Sequence, residues 1–162
     1  MKWMFSPIGV IRSPFQDVKG MPIQASGARN VRGRVVVEEA YAAGLADIEG
    51  FSHILLIYIF HRSKGYHLTV KPFLDNRLHG VFATRAPRRP NPVGLSVVEL
   101  LQREKNVLHI NGVDVLDNTP LLDIKPYAPA FDIVPVSSVG WLEGKEVEAG
   151  ITKSDERFSK EL

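Results

Sequence analysis

The most apolar stretch of the chain, His53–His61 (HILLIYIFH), constrains the fold more than any other segment. Its residues are apolar at both odd and even positions, and successive side chains of a strand point to opposite faces. The stretch therefore predicts a central strand that is covered on both faces. At roughly 3.3 Å per residue this strand spans about 30 Å. Its longest apolar run, Ile54–Phe60, is far too short to cross a bilayer.

Short strands and turns account for much of the remaining sequence. Apolar and β-branched segments separated by Pro and Gly predict further strands at Ile8–Ile11, Arg34–Glu38, Tyr66–Phe73, Leu95–Gln102, Val107–Val113 and Leu121–Ile124. The polar segment Arg103–Asn106 joins two of them and indicates a hairpin. Ala40–Glu49 has Ala and Leu at helical spacing before Gly50, which predicts a short helix. The pattern favours a mostly-β barrel or sandwich over a doubly wound fold, which needs more long helices.

Composition excludes several classes of site. The chain has no Cys, so a disulfide framework and a thiolate zinc site are both excluded. None of its five His residues pairs at a metal-binding spacing, and dinucleotide, P-loop, HExxH and GxSxG motifs are absent. The N-terminus has one charged side chain and no long apolar region before Pro7. We therefore expect no metal, no signal peptide and no membrane association, and a cytoplasmic protein.

The positive charge of the chain is concentrated in two short segments. The formal net charge is only +2, which is not the excess of a non-specific nucleic-acid coat. Two segments, Arg29–Arg34 and Arg85–Arg89, nevertheless hold three Arg each. Such clusters serve either solubility or the binding of anions.

The segment Gly80–Leu101 (GVFATRAPRRPNPVGLSVVELL) carries the second cluster in a stiff loop. Its three Pro residues fix φ and forbid a helix through Ala86–Asn91, and Gly94 permits a turn before the next strand. A rigid loop presents donors at low entropic cost, which suits ligand capture. The alternative is a proline-rich connection whose Arg residues coat the surface.

The segment Gly112–Tyr127 (GVDVLDNTPLLDIKPY) places three Asp residues near Thr119-Pro120. Asp-Asn ahead of Thr-Pro is also ordinary turn chemistry, so this segment taken alone indicates a turn.

Four segments, in this order, resemble the TsaA-like (TrmO) family of S-adenosylmethionine-dependent tRNA methyltransferases. They are IGVIRSPF at Ile8–Phe15, GFSHILLIYIFHR at Gly50–Arg62, ATRxPxRPNPxGLS at Ala83–Ser96 and VDVLDNTPLLDIKPY at Val113–Tyr127. The resemblance covers Ile8 to about Asp132. It implies a compact β-barrel with one or two short helices, which acts as a homodimer. It also implies methylation of the exocyclic amine of threonylcarbamoyl-adenosine, next to the tRNA anticodon.

The resemblance also implies a division of the chain. We expect residues 1–162 to form a single TsaA-like domain, with a core at about 5–137 and a C-terminal extension at 138–162. Some family members carry an additional C-terminal domain, which bears on how the tRNA anticodon stem-loop docks.

Methyl transfer from a sulfonium needs no metal but requires aligned donor and acceptor. The fork of Arg89 suits the cofactor carboxylate, and Asp117 suits its ribose or ammonium. Backbone groups around Asp114–Asp117 and Leu95 suit adenine, and the resemblance adds Pro22–Gln24 and His61-Arg62. The predicted cofactor-binding residues are Pro22, Ile23, Gln24, His61, Arg62, Arg89, Leu95, Asp114, Val115, Leu116 and Asp117. The predicted tRNA-contacting residues are Arg12, Arg32, Arg85 and Arg88.

The acceptor amine must lose a proton, so a general base is expected. The candidates are Asp117, Tyr127 and His61, of which we list Asp117 and Tyr127 as catalytic. Unpaired anticodon bases stack on aromatic rings. The candidates for this are Phe15, Tyr66, Phe82, Tyr127 and Phe131, of which we expect Phe82 to lie in the core.

Three other functions remain open at this stage. One is a barrel that binds S-adenosylmethionine or a nucleotide without catalysis. Another is a small-molecule methyltransferase without tRNA activity, which a deep pocket without a basic rim would favour. A purely structural dimerisation barrel is the third, but it leaves the Arg-rich loop unexplained.

Overall fold

Six strands close into a barrel in the computed structural model, which describes residues 3–158. The barrel strands are β1 (Gly9–Arg12), β2 (Arg32–Val37), β3 (His53–Ile59), β6 (Val93–Glu104), β7 (Val107–Asn111) and β8 (Thr119–Pro126). Neighbours around the barrel follow the order β1-β2-β7-β6-β3-β8, and every pair is antiparallel. The predicted mostly-β barrel is confirmed.

A small lobe accompanies the barrel. It contains the two-stranded sheet of β4 (Thr69–Val70) and β5 (His79–Gly80), and a 3-10 segment at Val81–Ala83. Two short helices follow β8: α1 (Pro129–Asp132) and α2 (Glu146–Ile151). Further 3-10 segments lie at Ala25–Gly27, Glu39–Leu45, Ile48–Gly50 and Gly140–Leu142.

The barrel core consists of the inward-facing residues of all six strands. Alternate residues of β3, namely Ile54, Leu56 and Tyr58, are buried, and they pack with Ile11, Val35 and Leu108 from other strands. A second cluster in the small lobe joins Val70, Val81 and Ala86, with Phe158 packed against it. The alternation explains why each strand has a single buried face.

Several local predictions were wrong. Ala40–Glu49 is not one α-helix but two 3-10 segments, separated at Asp47, which has a left-handed backbone with φ 66°. The predicted strand Tyr66–Phe73 contains only the two paired residues of β4. Strand β3 is buried on one face, and its outward residues Leu55, Ile57 and Ile59 are partly exposed. A barrel is a single curved sheet, so its outer face meets solvent.

The predicted hairpin is present, with a shorter turn. Arg103 and Glu104 belong to β6, so only Lys105 and Asn106 connect it to β7. Lys105 has a left-handed backbone with φ 55°, as tight hairpin turns require. Within residues 3–158, no helix is long and apolar enough to span a membrane.

Candidate active site

Four connecting segments meet at the end of the barrel where β3 ends at Ile59 and β6 begins at Val93, which we call the site end. Segment 60–68 is tied to the Pro-rich loop 84–92 because Phe60 N donates to Pro92 O at 2.8 Å. Segment 13–31 is tied to segment 112–118 because Asp117 N donates to Phe15 O at 2.8 Å. The chain thereby brings together residues that lie far apart in the sequence.

Three polar side chains form a hydrogen-bonded chain at the site end. Ser96 Oγ donates to Asp114 Oδ1 at 2.7 Å, and Tyr58 OH lies 3.0 Å from Ser96 Oγ. Because the one hydroxyl proton of Ser96 is used on Asp114, the Tyr58 hydroxyl is the donor in the second bond. Tyr58 and Ser96 are both buried. The carboxylate of Asp114 is therefore the end of this chain that can meet a ligand.

Gly94 makes room for the Tyr58 ring. A Cβ atom at position 94 would lie 2.2 Å from Tyr58 Cε2 and 2.9 Å from Phe60 Cζ. Gly94 therefore does not form the predicted turn; it lies within β6, directly opposite Tyr58. Any larger residue would displace the Tyr58 ring, whose hydroxyl donates to Ser96.

Burial controls the protonation of this chain. It raises the pKa of the Asp114 carboxyl to about 6, against the opposing effects of the Ser96 hydrogen bond, backbone groups and the charge of Arg85. Burial, followed by the nearby Asp114 charge, also raises the pKa of Tyr58, which stays protonated. Asp114 therefore carries a negative charge at neutral pH that the protein stabilises poorly.

Asp117 is engaged differently from Asp114. Its Oδ1 accepts from Arg12 Nε at 2.8 Å and from Ser13 N at 3.0 Å, and its Oδ2 accepts from Arg12 Nη2 at 3.2 Å. Burial raises the pKa of Asp117, but hydrogen bonds from Arg12, Ser13 and Gln16 outweigh it and leave the pKa lowered. A carboxylate held in this way is a weak proton acceptor.

The Arg residues of the Pro-rich loop have three different environments. Arg89 Nη1 donates to Thr84 O at 3.0 Å and Ala86 O at 3.2 Å, which fixes the loop while its other guanidinium edge keeps donors for a ligand. Arg85 is exposed and close enough to Asp114 to affect its ionisation. Arg88 is only 6% exposed.

Arg88, which was predicted to contact tRNA, is buried and engaged within the protein. Its Nε donates to Phe158 O at 2.9 Å, and its Nη1 lies 3.4 Å from His67 Nε2. Arg88 therefore holds the small lobe and the C-terminal segment together instead of facing a phosphate. Sequence alone does not distinguish it from Arg85 and Arg89.

His61 and Arg62 lie at the site end, as predicted. Arg62 Nη1 donates to Gln16 O at 2.6 Å, which ties segment 60–68 to segment 13–31. Partial burial, and then the charge of Arg62, lower the pKa of His61 against a backbone hydrogen bond with Ile59. Because its pKa is lowered, His61 is neutral at neutral pH, and its exposed ring has a nitrogen available to accept a proton.

The predicted loop Pro22–Gln24 lies close to Asp114. It leads directly into the 3-10 segment at Ala25, whose backbone hydrogen-bonds Asp114. Val115 is buried, and its carbonyl accepts from Ser13 Oγ at 2.6 Å, while Leu116 O accepts from Thr119 Oγ1 at 2.7 Å. The backbone from Asp114 to Asp117 is thus held in place beside the site end.

One predicted catalytic residue, Tyr127, does not join this group. Tyr127 N donates to His53 O at 3.1 Å, at the start of β3 and hence at the other end of the barrel. Within one chain, Tyr127 and Asp117 are therefore not brought together as catalytic partners. The side chain of Leu95 points outward and is 52% exposed, whereas its backbone, the predicted adenine contact, lies next to Ser96 near the start of β6. Phe82, expected in the core, is 75% exposed.

Sequence reasoning missed Tyr58 and Ser96. The available signal was strand alternation: Gly94 and Ser96 occupy inward positions of β6, where an apolar side chain is expected. Among residues 3–158, no group of three or more His, Asp or Glu side chains is arranged to hold a metal ion.

Comparisons with known proteins assign the chain to a family. Residues 10–133 match the family described as the tRNA-methyltransferase O N-terminal domain. The chain belongs to this family, as the sequence motifs predicted.

Individual relatives cover the chain to different extents. A probable S-adenosyl-L-methionine-binding protein of Pyrococcus abyssi is 53% identical over 95% of this chain and 84% of its own. The tRNA (adenine(37)-N6)-methyltransferase of Escherichia coli is 34% identical over 87% of this chain. A crystal structure of TrmO from Pseudomonas aeruginosa is 38% identical, with a TM-score of 0.73 over 87% of this chain. This chain spans 64% of the length of the Escherichia coli enzyme and 63% of the crystallised chain.

Proposed function

We propose that this chain is an S-adenosylmethionine-dependent methyltransferase that methylates the exocyclic amine of threonylcarbamoyl-adenosine in tRNA, beside the anticodon. The observation that carries the proposal is the Asp114 carboxylate at the end of a TrmO-family barrel, which accepts from the Ser96 hydroxyl, while Tyr58 donates to Ser96. Support comes from relatives named as a probable S-adenosyl-L-methionine-binding protein and as a tRNA (adenine(37)-N6)-methyltransferase.

The residues at the site end suit this cofactor. Its methionine part carries an ammonium and a carboxylate, and its sulfonium supplies the methyl group. Asp114 offers a negative charge, and Arg89 keeps the Nε and Nη2 edge for a carboxylate. Backbone groups from Asp114 to Asp117, Pro22–Gln24 and Leu95 are available to the adenosine part.

We further propose that His61 accepts the proton of the amine. Of the three candidates, Asp117 is bound by Arg12 and Tyr127 lies at the far end of the barrel. His61 is exposed at the site end and has a lowered pKa, so the neutral, accepting form prevails at neutral pH. In this assignment, Asp117 positions Arg12 rather than serving as a base.

The proposed activity predicts methylation of tRNA without a metal. Purified protein, incubated with S-adenosylmethionine and threonylcarbamoyl-modified tRNA, is expected to add one methyl group to the modified adenosine. Mass spectrometry of nuclease-digested tRNA measures this directly. Added EDTA is expected to leave the rate unchanged.

The control reaction contains tRNA that lacks the threonylcarbamoyl group. Absence of methylation in both reactions, together with normal cofactor binding by calorimetry, would favour a binding module over an enzyme. Methylation of small nucleosides but not of tRNA would favour the small-molecule enzyme.

We also propose that the protein is a homodimer. The outward residues of β3 and β6 form an apolar surface, in which Ile57 lies opposite Leu95 and Leu55 opposite Val97. All four are partly exposed. A continuous apolar surface of this kind suits a self-complementary interface between two copies.

The dimer is expected to dissociate when Val97 is replaced by Lys, because a charge would be buried at the interface. Light scattering should give twice the chain mass of 18.0 kDa for the unaltered protein, and 18.0 kDa for the variant. Leu78→Lys, on the small lobe, is the control and should remain dimeric. A monomeric unaltered protein would refute the proposal.

Two further assignments remain proposals. The first is a single domain at 1–162, with a core at about 5–137 and a C-terminal extension at 138–162. Its support is that Lys153 pairs with Pro22 and Ser154 N donates to Met21 O at 2.7 Å, so the extension returns to the loop beside the site. The second is a cytoplasmic location, supported by the tRNA-modifying relatives.

A further inference from the structure

A row of basic side chains crosses the outer surface of β1, β2 and β7. Arg34 lies directly opposite Arg12 on one side and His109 on the other. Arg32, two residues before Arg34, shares its face and is exposed. We call Arg12, Arg32, Arg34 and His109 the basic row. Ile11, Val35, Leu108 and Ile110, which alternate with these residues along the strands, are buried in the barrel, so the side chains of the row point outward.

The positive charges of the row are only partly neutralised. Arg12 is matched by Asp117, but Arg32 and Arg34 form no hydrogen bond or ion pair with any side chain in residues 3–158. Like charges directly opposite each other destabilise a sheet. The pair Arg12–Arg34 therefore carries a cost that an anionic partner on this surface would relieve.

Acidic residues bound the row on its far side. Glu104 of β6 lies 3.5 Å from His109, and Glu99 accepts a hydrogen bond from Asn111 at 2.9 Å. On the near side, Arg12 connects the row to Asp117 and hence to segment 112–118 at the site end. The row thus starts beside the candidate active site and stops at β6.

The dimensions of the row suit a chain of phosphates. Adjacent strands lie about 4.8 Å apart, so Arg12 and His109 are separated by about 10 Å across the sheet. Several cations along one line match successive phosphates of a nucleic-acid strand better than a single small anion. The acidic residues along one edge of the row disfavour its binding to a flat anionic membrane surface.

We propose that the basic row binds the phosphate backbone of the substrate RNA while its adenosine lies at the site end. This inference rests on the proposed function. It replaces the buried Arg88 with Arg34 as an RNA contact, and it gives Asp117 a role: this carboxylate holds Arg12 beside Arg34.

The test is a salt series with an anticodon stem-loop RNA. Arg34→Gln and Arg32→Gln are each expected to weaken RNA binding about five- to tenfold at about 0.1 M salt, and to reduce the slope of log affinity against log salt by about 0.7–0.9. Fluorescence anisotropy measures both quantities. Affinity for S-adenosylmethionine should not change, because neither residue lies in the cofactor site.

The matched control is Lys105→Gln. It removes the same charge from an exposed position on the β6–β7 turn, at the opposite end of the barrel. This variant should bind RNA as the unaltered protein does. An equal loss in the control would show that net charge alone is responsible, which would overturn the proposal.

Other results separate this proposal from the proposed function. If the unaltered protein methylates tRNA and the Arg variants bind RNA normally, the basic row is not the RNA surface although the function stands. If the unaltered protein neither binds nor methylates tRNA, the proposed function itself fails. If Arg34→Gln weakens binding to phosphatidylserine vesicles but not to RNA, the row contacts membranes instead.

Discussion

Replacement of His61 by Ala is expected to lower kcat about a hundred- to ten-thousandfold, which is the usual contribution of a positioned general base. The side chain is exposed and its hydrogen bond is to the nearby backbone of Ile59, so the fold should tolerate the change. Affinity for S-adenosylmethionine should fall little. Single-turnover kinetics with saturating cofactor and modified tRNA measure the loss, and calorimetry measures cofactor affinity.

The pH dependence adds an independent readout. Since partial burial and Arg62 lower the pKa of His61, the rate of the unaltered enzyme should rise with pH below the usual His value and level off above it. This fall of kcat at low pH, the acid limb of the pH profile, should disappear in His61→Ala. Arg62→Gln leaves His61 in place and should move the limb towards higher pH. An unchanged kcat in His61→Ala would rule out the assignment and return attention to a residue from a partner chain.

Replacement of Asp114 by Asn is expected to weaken cofactor binding about ten- to a hundredfold and, at the same time, to stabilise the protein. The first effect follows from the loss of a charge-assisted contact. The second follows because burial raises the pKa of Asp114 to about 6, so its ionised form opposes folding at pH 7. Asn keeps an oxygen to accept from Ser96 without that charge.

The sign of the stability effect can be checked with pH. A carboxyl whose folded pKa exceeds its unfolded pKa contributes stability below the unfolded value, near 3.8, and loses it as pH rises through about 6. Asp114 keeps some contact with solvent, so the gain in Asp114→Asn at pH 7 is on the order of 1–2 kcal/mol, or roughly 2–8 °C in Tm. The two proteins should converge near pH 4.

A purely structural Asp114 predicts the opposite result. Its replacement would lower Tm at pH 7 and leave cofactor affinity nearly unchanged. Ser96→Ala provides a comparison, because it removes the hydrogen bond that lowers the pKa of Asp114. In that variant, the fall in cofactor affinity at low pH should begin at a higher pH.

Much of the fold could be predicted from local pattern. The continuous apolar run His53–His61 and the polar break before Val107 predicted β3 and the β6–β7 hairpin. The helix at Ala40–Glu49 was wrong because its Ala and Leu spacing fits an α-helix, whereas the chain forms 3-10 segments there. The helical pattern reflects the local helix propensity of these residues, which tertiary contacts override.

By itself, the sequence determined the family, the class of chemistry and the segments that would form the site. Its motifs contain the Arg, Asp and His residues that the barrel gathers at one end. Only the tertiary structure decided which member of each group is free to act. Arg88 and Arg85 have the same chemistry, yet barrel closure and the C-terminal segment bury one and expose the other. Asp117 and Asp114 differ in the same way, because strand register places Arg12 beside one carboxylate and the Ser96 hydroxyl beside the other. Burial and pairing depend on contacts between residues distant in sequence, which no local pattern specifies.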